Sequence, residues 1–175
     1  MVIKIIIGDI FESNASAIVN PVNCDGAMCR GLSAQFKEKY PLMYTKYMNL
    51  CRSGRIRPGV LHYHNTNLQT IINFPTKDHW LDDSEYEYIY KGLECFRNTY
   101  RDFGISSVAF PALGCGEGRL KWADVCTMMH QALKDLPVDI EIWVTSDYRQ
   151  NIYRQQNGDD ASCLQFVDGK GRYRI

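Results

Sequence analysis

The chain has 175 residues, the length of one ordinary domain with one core, and its 45% apolar and 23% charged composition is that of a globular protein rather than a disordered one. Lys+Arg and Asp+Glu both number 20, so the formal net charge is zero and no bulk field draws the protein onto DNA or an anionic membrane; any nucleic-acid contact has to be local. No run approaches the apolar length of a membrane span, the N-terminal segment is too short for a signal sequence, and the seven cysteines are scattered without a Cys-x-x-Cys pair, so the expectation is a soluble, cytoplasmic protein with reduced thiols.

In chain order, the β-branched runs Ile3–Ile7 and Ala17–Asn20 read as strands. Gly8-Asp9-Ile10 follows the first. The second runs through Asn23 into Cys24-Asp25-Gly26-Ala27-Met28-Cys29-Arg30-Gly31-Leu32-Ser33, a loop of glycine and small polar residues that leads into a helical stretch ending near Tyr40. Backbone N–H groups of such a loop, together with a helix N-terminus, cradle phosphate oxygens, and glycine permits their close approach.

Val60–Asn65 and Thr70–Phe74 are the next strands. His62-x-His64 puts two rings on one strand face, but no third ligand lies nearby in sequence, so no metal site is expected. A helix is predicted from a cap at Ser84, with Ile89, Leu93, Phe96 and Tyr100 on one face, ending before Gly104.

The strand Ser107–Pro111 opens a second glycine loop, Ala112-Leu113-Gly114-Cys115-Gly116-Glu117-Gly118-Arg119-Leu120. Its spacing fails the dinucleotide-binding fingerprint, yet two such loops at strand ends favour a bound diphosphate. A further helix runs from about Lys121, with Trp122, Val125, Met129, Leu133 and Leu136 on one stripe, until Pro137. Met128, Met129 and the tyrosines at helical spacing are packing residues rather than a cofactor box. After the strand Ile140–Val144, the chain turns polar beyond Asn151 and reads as a loop or tail, dividing it into a core at 1–150 and an extension at 151–175. Strands alternating with longer helical patterns make an α/β plan, a sheet covered by helices.

Gly8-Asp9-Ile10, Val19-Asn20-x-x-Asn23 with its glycine loop, and Pro111-x-x-Gly114-Cys115-Gly116 resemble the macrodomain family in order and spacing over about residues 1–150. Within it, Gly31-Leu32-Ser33-Ala34-Gln35-Phe36-Lys37, Asn73-Phe74-Pro75-Thr76-Lys77-x-His79-Trp80 and Gly114-Cys115-Gly116-x-Gly118-x-Leu120-x-Trp122 are most similar to the DarG-like group, the DNA ADP-ribosyl glycohydrolase antitoxins. The resemblance implies a single three-layer α/β/α macrodomain with a mixed central sheet and a pocket for ADP-ribose, needing no metal or cofactor.

Carried over by position, it implies that Asp9 accepts from the adenine amino group and that the Ile10 backbone fixes the ring. Asn23 faces the distal ribose and joins the catalytic set. Gly26, Cys29, Gly31, Leu32 and Ser33 clasp the diphosphate from one side, and Gly114, Cys115, Gly116, Glu117 and Gly118 from the other. Thr76 joins the ADP-ribose-binding set, and Ser146 and Tyr148 contribute near the adenine. Asp9 has a plainer reading as a turn-forming residue. Lys77 is the implied catalytic lysine, donating a proton or attacking the anomeric carbon as a free amine.

A related mammalian group pairs its lysine with an aspartate where this chain has Gly118, flanked by Glu117. The DarG-like pattern also has glycine there, which favours a base-linked DNA substrate over a protein ester unless Glu117 takes the aspartate's place by a small loop shift. Arg30, Arg52, Arg55, Arg57 and Arg119 are candidates for steering a phosphate backbone, although a solvated arginine is the simpler reading of each. The implied partners are ADP-ribosylated DNA and an ADP-ribosyltransferase toxin, with no membrane. The alternatives are a non-catalytic reader of ADP-ribose, or a hydrolase of ADP-ribose-1″-phosphate or protein-linked esters. Antitoxins of this type carry a further C-terminal domain, so a chain ending at Ile175 is expected to be part of a longer bacterial protein or a stand-alone macrodomain of the kind a phage could use.

Overall fold

The apolar runs pair into one seven-stranded sheet, in a computed structural model that describes residues 3–146 and 164–168. Its elements are β1 (Ile3–Ile7), β2 (Ala17–Val22), α1 (Gly31–Lys39), α2 (Pro41–Arg52), β3 (His62–Asn65), β4 (Thr70–Pro75), α3 (Tyr86–Thr99), β5 (Ser107–Pro111), α4 (Trp122–Leu133), β6 (Asp139–Val144) and β7 (Leu164–Asp168). The strand order is β3-β4-β2-β5-β6-β1-β7, and every neighbouring pair is parallel except β3 with β4.

Parallel sheets bury both faces, and the side chains of each strand alternate between two cores. On one face Ile5, Val19, Ile72, Phe110 and Ile142 pack under α3 and α4; on the other Ile6, Ile18, Ile71, Ala109 and Trp143 pack under α1 and α2. This is the three-layer α/β/α arrangement. The two predicted helical stripes are core: Ile89, Leu93, Phe96, Trp122, Val125, Met129 and Leu133 are all buried. Gly92 sits where α3 crosses β4, and a Cβ there would collide with the Phe74 ring.

The structure departs from the sequence reading in three places. Ser84 does not cap α3, whose N-cap is Glu85. Instead the Ser84 N–H donates to the Gly118 carbonyl (3.0 Å), and its buried hydroxyl packs against the second glycine loop with no hydrogen-bond partner among the described residues. α2 was not foreseen, although Pro41 at its first position and the buried Met43 and Tyr47, four residues apart, are its signals. Residues 164–168, read as part of a polar tail, form β7 in register with β1, Ile3 opposite Leu164 and Ile7 opposite Asp168. The backbone groups on that side of β1 supply the reason, since a strand edge is a template for another strand.

β2 and β4 stay paired to their ends, from Ala17 opposite Thr70 to Val22 opposite Pro75. β2 and β5, by contrast, pair only at Ala17–Val108 and Ile18–Ala109. Beyond Ile18 these neighbours part, and the sheet opens into a crevice at the carboxyl ends of its parallel strands, the usual place for a ligand in an open α/β sheet.

Candidate functional site

A cavity of about 940 Å³ occupies that crevice. It is walled by the ends of β1, β2, β5 and β6 and by the loops that follow β1, β2, β4 and β5. Its size lies within the range of about 300–1,000 Å³ that holds small ligands and nucleotides.

The first glycine loop is organised by Asn23. Its Oδ1 accepts from the N–H groups of Asp25 (3.1 Å) and Ala27 (3.2 Å), and its Nδ2 donates to the Ala27 carbonyl (2.6 Å). The buried Tyr47 hydroxyl, reaching up from α2, sits 2.5 Å from the Asn23 carbonyl and 3.1 Å from its Oδ1. The loop then enters α1, whose N-cap Arg30 offers no side-chain hydrogen bond, so the N–H groups of the first turn have no cap among the described residues where Gly31, Leu32 and Ser33 line the cavity.

The second glycine loop is tightened by three backbone bonds: Cys115 N–H to Ala112 carbonyl, Arg119 N–H to Gly116 carbonyl, and Leu120 N–H to Gly114 carbonyl (3.0–3.2 Å). Its three glycines have different reasons. Gly114 has φ +69°, a conformation only glycine adopts without strain. A Cβ at Gly118 would collide with the Ser84 hydroxyl and the Gly114 carbonyl oxygen. That close packing leaves position 118 no room for an aspartate. Gly116 has neither constraint: its φ is not positive, and a Cβ there meets nothing within 4 Å. A cavity-lining glycine that the fold does not demand points to a ligand that comes close to the backbone.

Lys77 projects between the two loops. Its main chain is held by the first, through Cys24 N–H to the Asp78 carbonyl (2.9 Å) and the Cys24 thiol to the Lys77 carbonyl (3.4 Å). Its ammonium donates to the Glu117 carbonyl of the second (2.8 Å). The amine is thus fixed over the cavity by a backbone oxygen, with no carboxylate paired to it among the described residues.

At the opposite end, Asp9 caps the 3₁₀ turn Ile10–Glu12 by accepting from the Phe11 N–H (3.0 Å), so the turn-forming reading of Asp9 holds while the residue also lines the cavity. Trp143, which sequence reasoning left as a strand residue, completes this wall. Its indole N–H donates to Glu141 (2.8 Å), which also accepts from the Ser13 hydroxyl (2.6 Å), and its ring lies 3.2 Å from the Cβ position of Gly8. The ring's packing against Gly8 depends on the neighbouring pair β1 and β6, which no local pattern shows.

The cavity brings together Asp9, Ile10, Asn23, Cys29, Gly31, Leu32, Ser33, Thr76, Lys77, Gly114, Gly116, Glu117, Gly118 and Ser146. Two predicted residues are outside its wall. Gly26, with φ +87°, backs onto α2, where a Cβ would lie 2.5 Å from the Met48 sulfur. The Cys115 thiol turns inward to the Leu113 carbonyl (3.3 Å), and burial, with Cys126 nearby, pushes its pKa up to about 12. Tyr148 lies outside the described residues. Of the arginines, Arg30 and Arg119 reach the cavity, whereas Arg52, Arg55 and Arg57 do not. Trp80, named above only within a motif, lines its mouth beside Lys77 together with Leu81 and Asp83, which were unforeseen.

Among the described residues, no group of three or more His, Cys, Asp or Glu is arranged to hold a metal, and His62 is taken up by Asn73 (3.0 Å). No helix among them is long and apolar enough to cross a membrane.

The Macro domain family model matches residues 19–129. A DNA ADP-ribosyl glycohydrolase of Mycobacterium tuberculosis is 40% identical over 144 residues, 79% of this chain and 41% of the relative, so the chain spans about two fifths of the length of that protein. The solved macrodomain of Mycobacterium tuberculosis DarG superposes with a TM-score of 0.76 at 37% identity, over 80% of this chain and 97% of that one. Thermosipho africanus DarTG, solved in complex with ADP-ribose, also gives 0.76, at 31% identity over 80% of this chain and 40% of that one.

Proposed function

Since this chain belongs to the macrodomain family, we propose that its cavity binds ADP-ribose and that it is a hydrolase releasing ADP-ribose from modified thymine in DNA, with Lys77 as the catalytic group. The observation that carries this reading is the Lys77 amine held between the two glycine loops by the Glu117 carbonyl. The uncapped α1 N-terminus and Gly116 take the diphosphate from two sides, and Asp9 and Trp143 hold the adenine end. The distal ribose then lies under Lys77, its anomeric carbon facing the amine.

Lysine cleaves a glycosidic bond there in one of two ways. As an ammonium it protonates the departing base as the C1″–N bond breaks, and the amine left behind takes the proton of the water that attacks C1″. As a neutral amine it attacks C1″ while its proton passes to the departing base; opening of the resulting ribosylamine, with the ring oxygen protonated, gives a Schiff base that water hydrolyses to ADP-ribose and free lysine. Borohydride traps only the second. The absence of room for a carboxylate at Gly118 supports a base-linked substrate over a protein ester. The partner enzyme in this reading is an ADP-ribosyltransferase that modifies DNA.

The test is release of ADP-ribose from a thymidine-ADP-ribosylated oligonucleotide. Wild type is expected to release it, and Lys77→Ala to bind ADP-ribose with little change and release none. Binding without release by wild type would make the protein a reader and overturn the catalytic assignment.

A further inference from the structure

Three residues beyond Lys77, Trp80 lines the cavity mouth with 41% of its surface exposed, whereas Trp122 and Trp143 are buried. Leu81 beside it is 68% exposed and lines the same mouth. Leaving an indole in water forgoes the burial that stabilises the other two. The first glycine loop nevertheless holds it there. The Trp80 N–H donates to an Asp25 carboxylate oxygen (2.8 Å), the same oxygen lies 3.6 Å from the His79 ring nitrogen, and the His79 ring sits 6.3 Å from the indole. Asp25 therefore fixes one short segment that carries both the amine and an exposed aromatic face.

The rest of the cavity is occupied by features suited to the nucleotide: backbone N–H groups, glycine and Asp9. What stands past Lys77 is the group from which ADP-ribose is to be removed. We propose that Trp80 is the platform on which the base bearing the ADP-ribose stacks, making it the residue that selects a nucleobase-linked substrate. This rests on the ADP-ribose-binding reading of the same site. A nucleobase presents a π-face to the indole, and stacking of this kind changes affinity by about 5- to 150-fold per base when the aromatic is removed. A peptide side chain linked through an ester offers no such face.

The experiment uses the Lys77→Ala protein, expected to hold ligands without turnover, and compares the Kd of ADP-ribose with that of thymidine carrying ADP-ribose on its base. This nucleoside lacks the strand phosphates of an oligonucleotide, so the comparison isolates the base. The modified nucleoside is expected to bind about 5- to 150-fold tighter than ADP-ribose. Adding Trp80→Ala should abolish that advantage with the Kd of ADP-ribose within about twofold, and Trp80→Phe should keep most of it. Equal binding of the two ligands by Lys77→Ala, an advantage that survives Trp80→Ala, or an equal loss for both ligands each overturns the proposal. Cleavage by wild type is read separately, so failure of the hydrolase reading is distinguishable from failure of the stacking platform.

Discussion

Gly116 and Gly118 lie two residues apart in one loop, yet adding a methyl group to each should damage different properties. At Gly116 the new Cβ meets nothing within 4 Å and φ is not positive, so alanine fits the folded chain. Restricting the unfolded chain should leave stability unchanged or raise it by about 0.4–1 kcal/mol. The same methyl projects where the diphosphate would approach, and a misfit of one methyl group costs about 1–3 kcal/mol, or about 5- to 150-fold in the Kd of ADP-ribose. At Gly118 the methyl collides with Ser84 and the Gly114 carbonyl oxygen. The backbone must shift, and the same misfit of about 1–3 kcal/mol falls on folding, lowering Tm by about 2–4 °C per kcal/mol in a domain of this size. Urea unfolding and calorimetric titration of both variants against wild type make the comparison. Unchanged ADP-ribose affinity in Gly116→Ala would refute the ligand explanation of that glycine, and unchanged stability in Gly118→Ala would refute the packing explanation of the other.

Tyr47→Phe removes the hydroxyl that bonds the Asn23 carbonyl and Oδ1 and leaves buried acceptors short of a donor, so urea unfolding should show a loss of about 1–3 kcal/mol, with weaker ADP-ribose binding as the loop loosens. Asp9→Ala should weaken ADP-ribose about tenfold in a calorimetric titration, through loss of the proposed adenine contact and of the cap on Phe11 N–H. The His62 imidazole has its pKa lowered from 6.5 to about 4 by burial, with His64 and Lys46 adding to the effect. The unfolded chain therefore binds the proton first. His62 contributes stability in full above pH 6.5 and loses it as pH falls toward about 4, and a series of urea midpoints across that window should show a step that is reduced in His62→Gln.

The alternation of strands and amphipathic helices was legible along the chain because each pattern is local: two-residue and 3.6-residue periods declare which face is buried. So were both glycine loops, since two stretches of glycine and small polar residues directly after β-like runs favour a bound diphosphate. Lys77 stood out only through the resemblance of its motif, because a loop lysine by itself is most simply a solvated one. The site residues carried over from the family resemblance mostly line the cavity, in the two loops and at Asp9, Ile10, Thr76, Lys77 and Ser146.

Long-range contacts decided the rest. Gly26, Gly116 and Gly118 are the same letter, but α2, open space and Ser84 respectively give them different jobs. Ser84 looks like a helix cap and is instead the wedge against the second loop. Trp143 enters the site because β6 lies beside β1, and Trp80 faces outward because Asp25, 55 residues earlier, holds its backbone. The crevice itself exists because β2 and β5 part after two paired residues. Periodicity records which side of an element is dry; which neighbour provides the dryness, and where neighbours separate to admit a ligand, is settled only when the sheet assembles.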